Sequence, residues 1–295
     1  MKTRSSFFKR TSHILASILI LGLGQTTATS VLADEALGET GTDPRDFAPK
    51  FMPYARYTEL ENGVESTNFT MFGMLAFTPD AAMTYEIPLA MENDFSDTPL
   101  NTGGPGGNCP SIGGSCSVVG VGDMNLRFLF RADWEALGGD WLYGVQFDFP
   151  TATDDALGGD SFNVGPMIAY VNDIPAWPGP GAFFAMMNFY FFDAFKEDDT
   201  EDTSMYIGRW FFMLPLSAPD GSFWGGWYAL PELQPVYNFE GDDGDGHFSF
   251  WFGPEFGKMI SEGNIMYFKP GWGIDPDALE GDREFTFEIG YRHFM

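Results

Sequence analysis

HFSFWFGPEFG, residues 247–257, is the stretch of this sequence that decides the fold. Two sets of residues alternate along it, one apolar and one mixed: Phe248, Phe250, Phe252, Pro254 and Phe256, against His247, Ser249, Trp251, Gly253 and Glu255. A period of two places such sets on opposite faces of a β-strand. The stretch therefore predicts a strand with one apolar face and one mixed face.

The same alternation recurs along the chain, for example in 83–91, 123–132, 141–150 and 284–294. A tilted strand needs about 9–11 residues to cross a bilayer, and these runs have that length. The pattern predicts twelve strands, near 47–60, 67–78, 82–92, 122–132, 141–150, 161–172, 181–193, 204–216, 223–239, 247–257, 264–274 and 284–295. Prolines inside several runs are expected at strand ends or bulges, because proline cannot donate to the ladder.

The composition favours a membrane barrel over a soluble sheet. Aromatic residues make up 17% of the chain, with 31 Phe, yet the mean hydropathy is −0.12. The aromatic residues are spread through alternating segments that acidic, Gly-rich turns separate. A barrel with one face in lipid and a polar interior has this pattern. We expect an all-β, transmembrane, antiparallel up-and-down β-barrel of about 12 strands, with 10 or 14 as alternatives.

The N-terminus has the pattern of an export signal. A basic stretch with Lys2 and Arg4 precedes the apolar run 14–24, and Val31-Leu32-Ala33 forms a small-residue cleavage site. We assign 1–33 as a signal peptide, 34–46 as an N-terminal periplasmic segment and 47–295 as the outer-membrane β-barrel. This organisation predicts a Gram-negative outer membrane as the location.

The charge of the chain excludes some partners. Removing residues 1–33 removes four basic residues and leaves a formal charge of about −31 (15 − 4 basic residues against 42 acidic ones). Nucleic acid is not expected as a partner, since the phosphate backbone attracts Lys and Arg. Expected partners are outer-membrane lipid, the outer-membrane assembly machinery and a small hydrophobic solute.

The connections between the predicted strands support the count. If the first strand starts from the periplasm, nearly all acidic runs fall on one side, in the connections 151–160, 194–203, 240–246 and 275–283. The longest connection, 93–121, falls on the same side. Outer-membrane barrels have short periplasmic turns and longer extracellular loops. The pattern thus predicts acidic extracellular loops.

Four phrases carry a family resemblance: GVGDMNLRFLFR (120–131), GVQFDFPTATDDALGGDSFNVGPMIAYV (144–171), LPELQPVYNFE (230–240) and FGPEFGKMISEGNIMYFKPGWGI (252–274). Together and in this order they resemble the outer-membrane proteins named for the meta-pathway of phenol degradation, a transporter-like β-barrel family. The resemblance covers most of 68–295. It implies an outer-membrane barrel and uptake of hydrophobic or aromatic compounds, and it brings no catalytic residues.

The strand phases predict which side chains line the lumen as a solute path. These residues are Asn125, Arg127, Arg131, Gln146, Asp148, Glu232, Gln234, Trp251, Glu255, Tyr267, Lys269, Glu288 and Arg292. Such a lumen suits a porin-like channel or transporter for small, hydrophobic or aromatic solutes. One alternative is a structural or surface-interaction barrel whose interior only supports the wall, because small barrels fill with side chains. A further alternative is a lipid hydrolase that uses Ser249 and His247.

Other candidate sites are few. Cys109 and Cys116 are expected to form a local disulfide, because export leads to an oxidising compartment. Asp242, Asp243 and Asp245 suggest a calcium loop, but the EF-hand spacing with its terminal Glu is absent, which favours a solvated acidic hairpin. We expect no catalytic residues, no resident metal and no cofactor.

Overall fold

A computed structural model describes residues 42–60, 63–95, 117–134, 136–158, 162–179, 181–195, 204–216, 225–239, 247–274 and 283–295. Thirteen strands lie in these ranges: β1 (Lys50–Leu60), β2 (Glu65–Thr78), β3 (Ala81–Asp94), β4 (Ser117–Gly120), β5 (Met124–Arg131), β6 (Asp140–Phe149), β7 (Phe162–Asp173), β8 (Phe183–Phe195), β9 (Met205–Pro215), β10 (Trp227–Asn238), β11 (His247–Ser261), β12 (Asn264–Gly273) and β13 (Arg283–Phe294). Within the described ranges, no helix is long and apolar enough to cross a membrane.

The strands form one closed antiparallel sheet. Each long strand pairs with its neighbours in the chain, and β1 closes the ring by pairing with β13, for example at Tyr54 and Gly290. The short β4 pairs only with the end of β3, beyond the part of β3 that pairs with β5. The wall therefore has twelve strands, which confirms the predicted all-β barrel of about 12 strands.

Several predicted bounds differ from the observed ones, as for 223–239, which is Trp227–Asn238, and the later start of β5 has a clear physical cause. The sequence predicts one strand over 122–132. In the structure β4 ends at Gly120, residues 121–123 form no strand, and β5 begins at Met124. The Asp123 carboxylate turns away from the ladder and accepts the backbone N–H groups of Thr151 and Ala152 at 2.9 and 2.8 Å. This capping of the next connection replaces ladder bonds, as Asp side chains commonly do in turns.

Prolines lie where the ladder is interrupted on one side. Between β11 and β12, pairing stops after Phe252 and resumes at Phe256, and both Pro254 and Pro270 fall in this gap. Pro88 adjoins an irregularity in the pairing of β2 with β3. These positions follow from the missing N–H group of proline. The position of Pro88 agrees with the expectation of strand ends or bulges, whereas Pro254 and Pro270 lie at an interior gap in the pairing.

The two faces of β11 have the phase that the sequence predicts. Phe248 and Phe252 are 41% and 36% exposed, whereas Trp251 and Glu255 are 5% and 4% exposed. The aromatic face therefore points away from the barrel axis and the mixed face points into the barrel. This arrangement places Phe on the surface that lipid covers in barrels of this kind.

The two ends of the barrel differ. We call the end with Lys50 and Phe294 the base, and the end with Leu60 and Glu65 the mouth. Near the base, apolar side chains from many strands meet inside the barrel and form a buried cluster that includes Met74, Ala82, Leu129, Leu142, Ala169, Val171, Phe183, Ala185, Phe211, Met213, Leu230 and Ile265. The base is therefore packed like a small protein core.

Candidate functional site

The barrel interior brings together most of the residues that were expected to line a lumen. Gln146, Trp251, Glu232, Glu255, Tyr267, Lys269, Glu288 and Arg292 are buried, and Asn125, Arg127, Asp148 and Gln234 are partly buried. Arg131 differs, because it is exposed at the base and donates to the backbone oxygen of Arg45. Their role as a solute path stays a prediction.

Glu232 is the carboxylate with the largest number of cationic partners in the interior. It lies on β10, is 1% exposed, and binds Arg209 Nε on β9 and Lys269 Nζ on β12, both at 2.7 Å. Gln234 also donates to it. A buried carboxylate needs this degree of pairing, since an unpaired charge in the interior costs several kcal/mol.

A second carboxylate is held by a tyrosine and an arginine. Tyr228 Oη donates to Glu255 Oε1 at 2.6 Å, and Arg292 binds both Glu255 oxygens at 2.7 and 2.8 Å. Tyr228 lies opposite Gly257 in the pairing of β10 with β11. A Cβ atom at Gly257 would lie 2.2 Å from the ring, so only glycine lets the ring lie flat on the strand.

The same arrangement is repeated on the next strands. Tyr267 Oη donates to Glu288 at 2.8 Å, and its ring covers Gly290, where a Cβ atom would approach to 2.4 Å. Arg56 on β1 binds Glu288 at 2.7 Å. In both cases the glycine follows the glutamate by two residues, so Glu-x-Gly marks each site.

The series continues to β3. Tyr54 on β1 donates to Glu86 on β3, and Asn125 on β5 donates to the other oxygen of that carboxylate at 3.3 Å. The Arg56 guanidinium lies 4.9 Å from the centre of the Tyr54 ring. We call Glu86, Glu232, Glu255 and Glu288, together with their partners, the ionic wall.

The opposite side of the interior is apolar. Strands β7 to β9 present Met167, Ala169, Val171, Phe183, Ala185, Met187, Phe189, Phe211 and Met213, all buried. We call these residues the apolar wall. The outward neighbours on the same strands include Tyr190 and Phe212, 38% and 45% exposed, so these strands are apolar on both faces. The lumen thus has two chemically different sides.

Arg127 on β5 connects the two sides. Its Nε and Nη2 atoms donate to Gln146 Oε1 at 2.9 and 2.5 Å, and Gln146 donates to Asp148 at 2.7 Å. The guanidinium carbon lies 4.6 Å from the centre of the Phe189 ring on β8. Because β5 and β8 are not neighbours, this contact crosses the interior and shows how narrow it is.

Trp251 forms a flat aromatic surface nearer the mouth. Its ring lies against Gly253 and Gly271, where added Cβ atoms would come within 1.8 and 1.9 Å of it. Lys269 Nζ and the Arg283 guanidinium lie 5.1 and 5.0 Å from its ring centre. Cations at such distances are attracted to the ring face.

The segment before β1 occupies the base. Phe47 is 5% exposed and belongs to the apolar cluster. Arg45 binds Asp43, Asp140 and Asp173 at 2.7, 2.9 and 2.7 Å. Although burial acts to lower it, hydrogen bonds to Asp43 and Asp173 raise the pKa of Arg45 above its ordinary value. Residues 42–46, the described end of the segment assigned as periplasmic, therefore lie at the base of the barrel.

A cavity of about 130 Å³ lies inside the barrel between the N-terminal segment and the two walls. Its lining includes Thr42, Asp43 and Pro44 from the segment, Arg127, Arg209, Glu232, Glu255 and Arg292 among the charged groups, and Leu129, Leu142, Met187, Phe211 and Leu230 among the apolar ones. Pockets for drug-sized ligands are commonly about 300–1,000 Å³. The cavity can therefore hold only a small solute.

Other expected sites have different outcomes. His247 and Ser249 share the inward face of β11 with Trp251, and Asn238 is paired with His247 across β10 and β11. Cys109, Cys116 and the acidic residues 242, 243 and 245 lie outside the described residues. No group of three or more His, Cys, Asp or Glu that could hold a metal occurs in the part of the chain that the structure describes.

Sequence reasoning missed several residues of the interior. Tyr54, Arg56 and Glu86 were not singled out, and neither was Tyr228. The repeated Glu-x-Gly at 255–257 and 288–290 is the signal that could have found the tyrosines, because a glycine on an inward face leaves room for a ring from the next strand.

Comparisons with known proteins identify the fold. An outer-membrane channel from Pseudomonas putida F1 is 14% identical, with 86% of this chain and 100% of that chain covered and a TM-score of 0.55. The NanC porin is 8% identical, with 84% and 100% covered and a TM-score of 0.52. No family profile and no curated protein matches the sequence. The chain has the fold of outer-membrane barrels.

Proposed function

We propose that this chain is a passive outer-membrane channel or transporter for small, hydrophobic or aromatic solutes. The observation that carries the proposal is the two-sided lumen, in which the apolar wall faces the ionic wall across a small cavity. A water-filled pore for polar solutes has a polar interior on all sides. An apolar strip along β7 to β9 instead offers a nonpolar solute a surface to follow.

The comparisons support the proposed channel function through the similarity of the fold. The two structures compared above are an outer-membrane channel and a porin. The resemblance of 120–131 and 252–274 to the family of the phenol meta-pathway points to the same class of solute. We infer on these grounds that the barrel lies in the outer membrane, with an N-terminal signal peptide directing its export.

The ionic wall gives a second candidate function some support. Each of its carboxylates has at least one hydrogen-bonded partner, and the base is packed with apolar side chains. Such an interior also suits a structural or surface-interaction barrel that carries no solute. The two candidates differ in whether anything crosses the lumen.

Uptake by whole cells separates them. Gram-negative cells with an intact lipopolysaccharide leaflet would express the chain, and the initial uptake rate of radiolabelled toluene would be measured. The channel reading predicts faster uptake than in cells with an empty vector. Phe211→Asn, which makes the apolar wall polar, should lower the rate. Ser249→Asn, which puts the same residue on the ionic side, should leave it unchanged. Equal uptake with and without the chain would leave the structural reading.

A further inference from the structure

Arg127 lines the cavity and has no carboxylate partner within ion-pair distance among the described residues. Its Nε and Nη2 atoms bind the neutral amide of Gln146. In the described part of the chain, none of its nitrogens lies within ion-pair distance of an Asp or Glu oxygen. Its Nη1 atom donates to no described group. Among the described residues, Nη1 of Arg127 is therefore an unused donor and the guanidinium forms no ion pair, although it lies against the Phe189 ring.

The acids around the cavity are already neutralised. Glu232 is paired with Arg209 and Lys269, and Glu255 with Arg292. Asp43 is paired with Arg45 at 2.7 Å. Lys50, which also lines the cavity, is paired with Asp46 at 3.7 Å, so Arg127 is the charged group of the described lining that forms no ion pair.

The two carboxylates that act on Arg127 over a longer range are held by other groups. Asp148 accepts from the Gln146 amide at 2.7 Å, and Glu86 accepts from Tyr54 and Asn125. Neither is placed to form a direct pair with the guanidinium. An arginine fork that binds a neutral oxygen on one edge can still bind a carboxylate through its remaining amino group.

Apolar side chains share the cavity with Arg127 and with Thr84, its partner in the pairing of β3 with β5. Leu129, Leu142, Met187 and Phe211 line it together with the guanidinium. In a site of this kind, apolar surface supplies affinity and one charged group fixes orientation. The volume of about 130 Å³ restricts the ligand to a small molecule.

We propose that Arg127 and the apolar residues Leu129, Leu142, Met187 and Phe211 form a subsite for a small organic anion, a carboxylate on an apolar or aromatic body. The proposal rests on the proposed function, since a solute reaches this site through the lumen. The carboxylate would bind Nη1 of Arg127, and the apolar body would lie against Met187 and Phe211. A neutral solute of the same shape would lose the charge-assisted bond, which is about twice as strong as a neutral one.

Isothermal titration calorimetry of the purified, detergent-solubilised barrel with sodium benzoate tests the subsite. The negative charge of the chain opposes the approach of an anion, so the titration uses about 0.15 M salt, where screening acts beyond roughly 8 Å. We expect saturable benzoate binding, with benzamide, its neutral counterpart, at least about tenfold weaker. Acetate, which has the charge without the apolar body, should also bind at least about tenfold more weakly.

Variants locate the site. Arg127→Gln should weaken benzoate binding about tenfold or more, while Arg127→Lys, which keeps the charge without the fork, should lose less. Lys258→Gln on the outer face removes one positive charge of the chain and should change nothing. Circular dichroism would establish that each variant is folded. Benzoate binding that is unchanged in Arg127→Gln, or no binding to the wild-type barrel, would overturn the subsite.

The calorimetry does not depend on transport. A wild-type barrel that takes up toluene in cells but binds no benzoate overturns the subsite and leaves the proposed function. A barrel that binds benzoate through Arg127 but transports nothing overturns the proposed function and leaves the subsite as a binding site.

Discussion

Tyr228 Oη donates to Glu255 Oε1 at 2.6 Å, with the tyrosine ring lying on the backbone of Gly257. The glycine and the hydrogen bond depend on each other, because the ring reaches the carboxylate only where no Cβ atom lifts it from the strand. The same relationship between Tyr267, Glu288 and Gly290 makes it a repeated feature of the ionic wall.

Gly257, on which the Tyr228 ring lies, should tolerate no side chain. Gly257→Ala puts a methyl group 2.2 Å from the Tyr228 ring, so the barrel should unfold at lower denaturant concentration. In a Tyr228→Ala background the same change should lower the free energy of unfolding much less, because the ring that the methyl group would meet is absent. The measurement is a double-mutant cycle of unfolding in urea. An equal loss of unfolding free energy on Gly257→Ala in both backgrounds would contradict the packing of the Tyr228 ring on Gly257.

The phase of β11 predicts different surroundings for two adjacent residues. Ser249 shares the inward face with Trp251, and Phe250 shares the outward face with Phe248 and Phe252. Spin labels at 249 and 250 should therefore differ in access to a lipid-soluble relaxing agent, with high access at 250. Phe250→Arg should destabilise the barrel by about 2–4 kcal/mol if the residue lies near the midplane. Equal access at both positions would refute the phase.

Neutralising Glu232, the carboxylate that Arg209 and Lys269 share, should lower the stability of the barrel. Glu232→Gln leaves Arg209 and Lys269 without their common counter-ion in a site that is 1% exposed. Breaking a buried pair in this way costs about 3–5 kcal/mol. Asp140→Asn is the control, because it removes one of three carboxylates around Arg45 at a half-exposed position, where an exposed pair contributes about 0–1 kcal/mol. Comparable losses in the two variants, measured by urea unfolding, would argue against the assigned role of Glu232.

The N-terminal segment is expected to restrict passage at the base. Arg45 connects this segment to Asp140 and Asp173, at the base ends of β6 and β7. Arg45→Ala should loosen the segment and raise the ionic conductance of the barrel in a planar bilayer. Glu262→Gln is a suitable control, because Glu262 is an exposed carboxylate in the turn between β11 and β12 at the base and has no ion pair with the segment among the described residues. Conductance that rises equally in both variants would point to a general loosening of the base.

The period of two in the sequence was sufficient to predict the strands of the barrel wall and, for many side chains, whether they point inward or outward. It could not give the break at 121–123, because that break depends on Asp123 binding the backbone of another connection. It could not fix Arg209 either, since the run 204–216 is apolar on both faces and has no clear phase.

The contacts between interior side chains depend on the register in which the strands pair. The sequence of a single strand does not determine that register. Tyr54 on β1 reaches Glu86 on β3 over β2, and Arg127 on β5 reaches Phe189 on β8 across the interior. Arg45 lies outside any alternating run, and Phe47 was expected to begin the strand 47–60, whereas β1 begins at Lys50 and Phe47 packs inside the base. The solute path through these residues stays a prediction.

Two adjacent phenylalanines on β9 allow the most direct test of a lumen that carries solutes. Phe211 lines the cavity, whereas Phe212 points outward and is 45% exposed. The measurement is single-channel conductance of the purified wild-type, Phe211→Ala and Phe212→Ala barrels in planar bilayers at about 1 M salt, where charges are screened beyond roughly 3 Å. The account predicts a measurable wild-type conductance, a larger one in Phe211→Ala because the lumen widens, and no change in Phe212→Ala. An absence of current in all three barrels, or the same current in both variants, would contradict it.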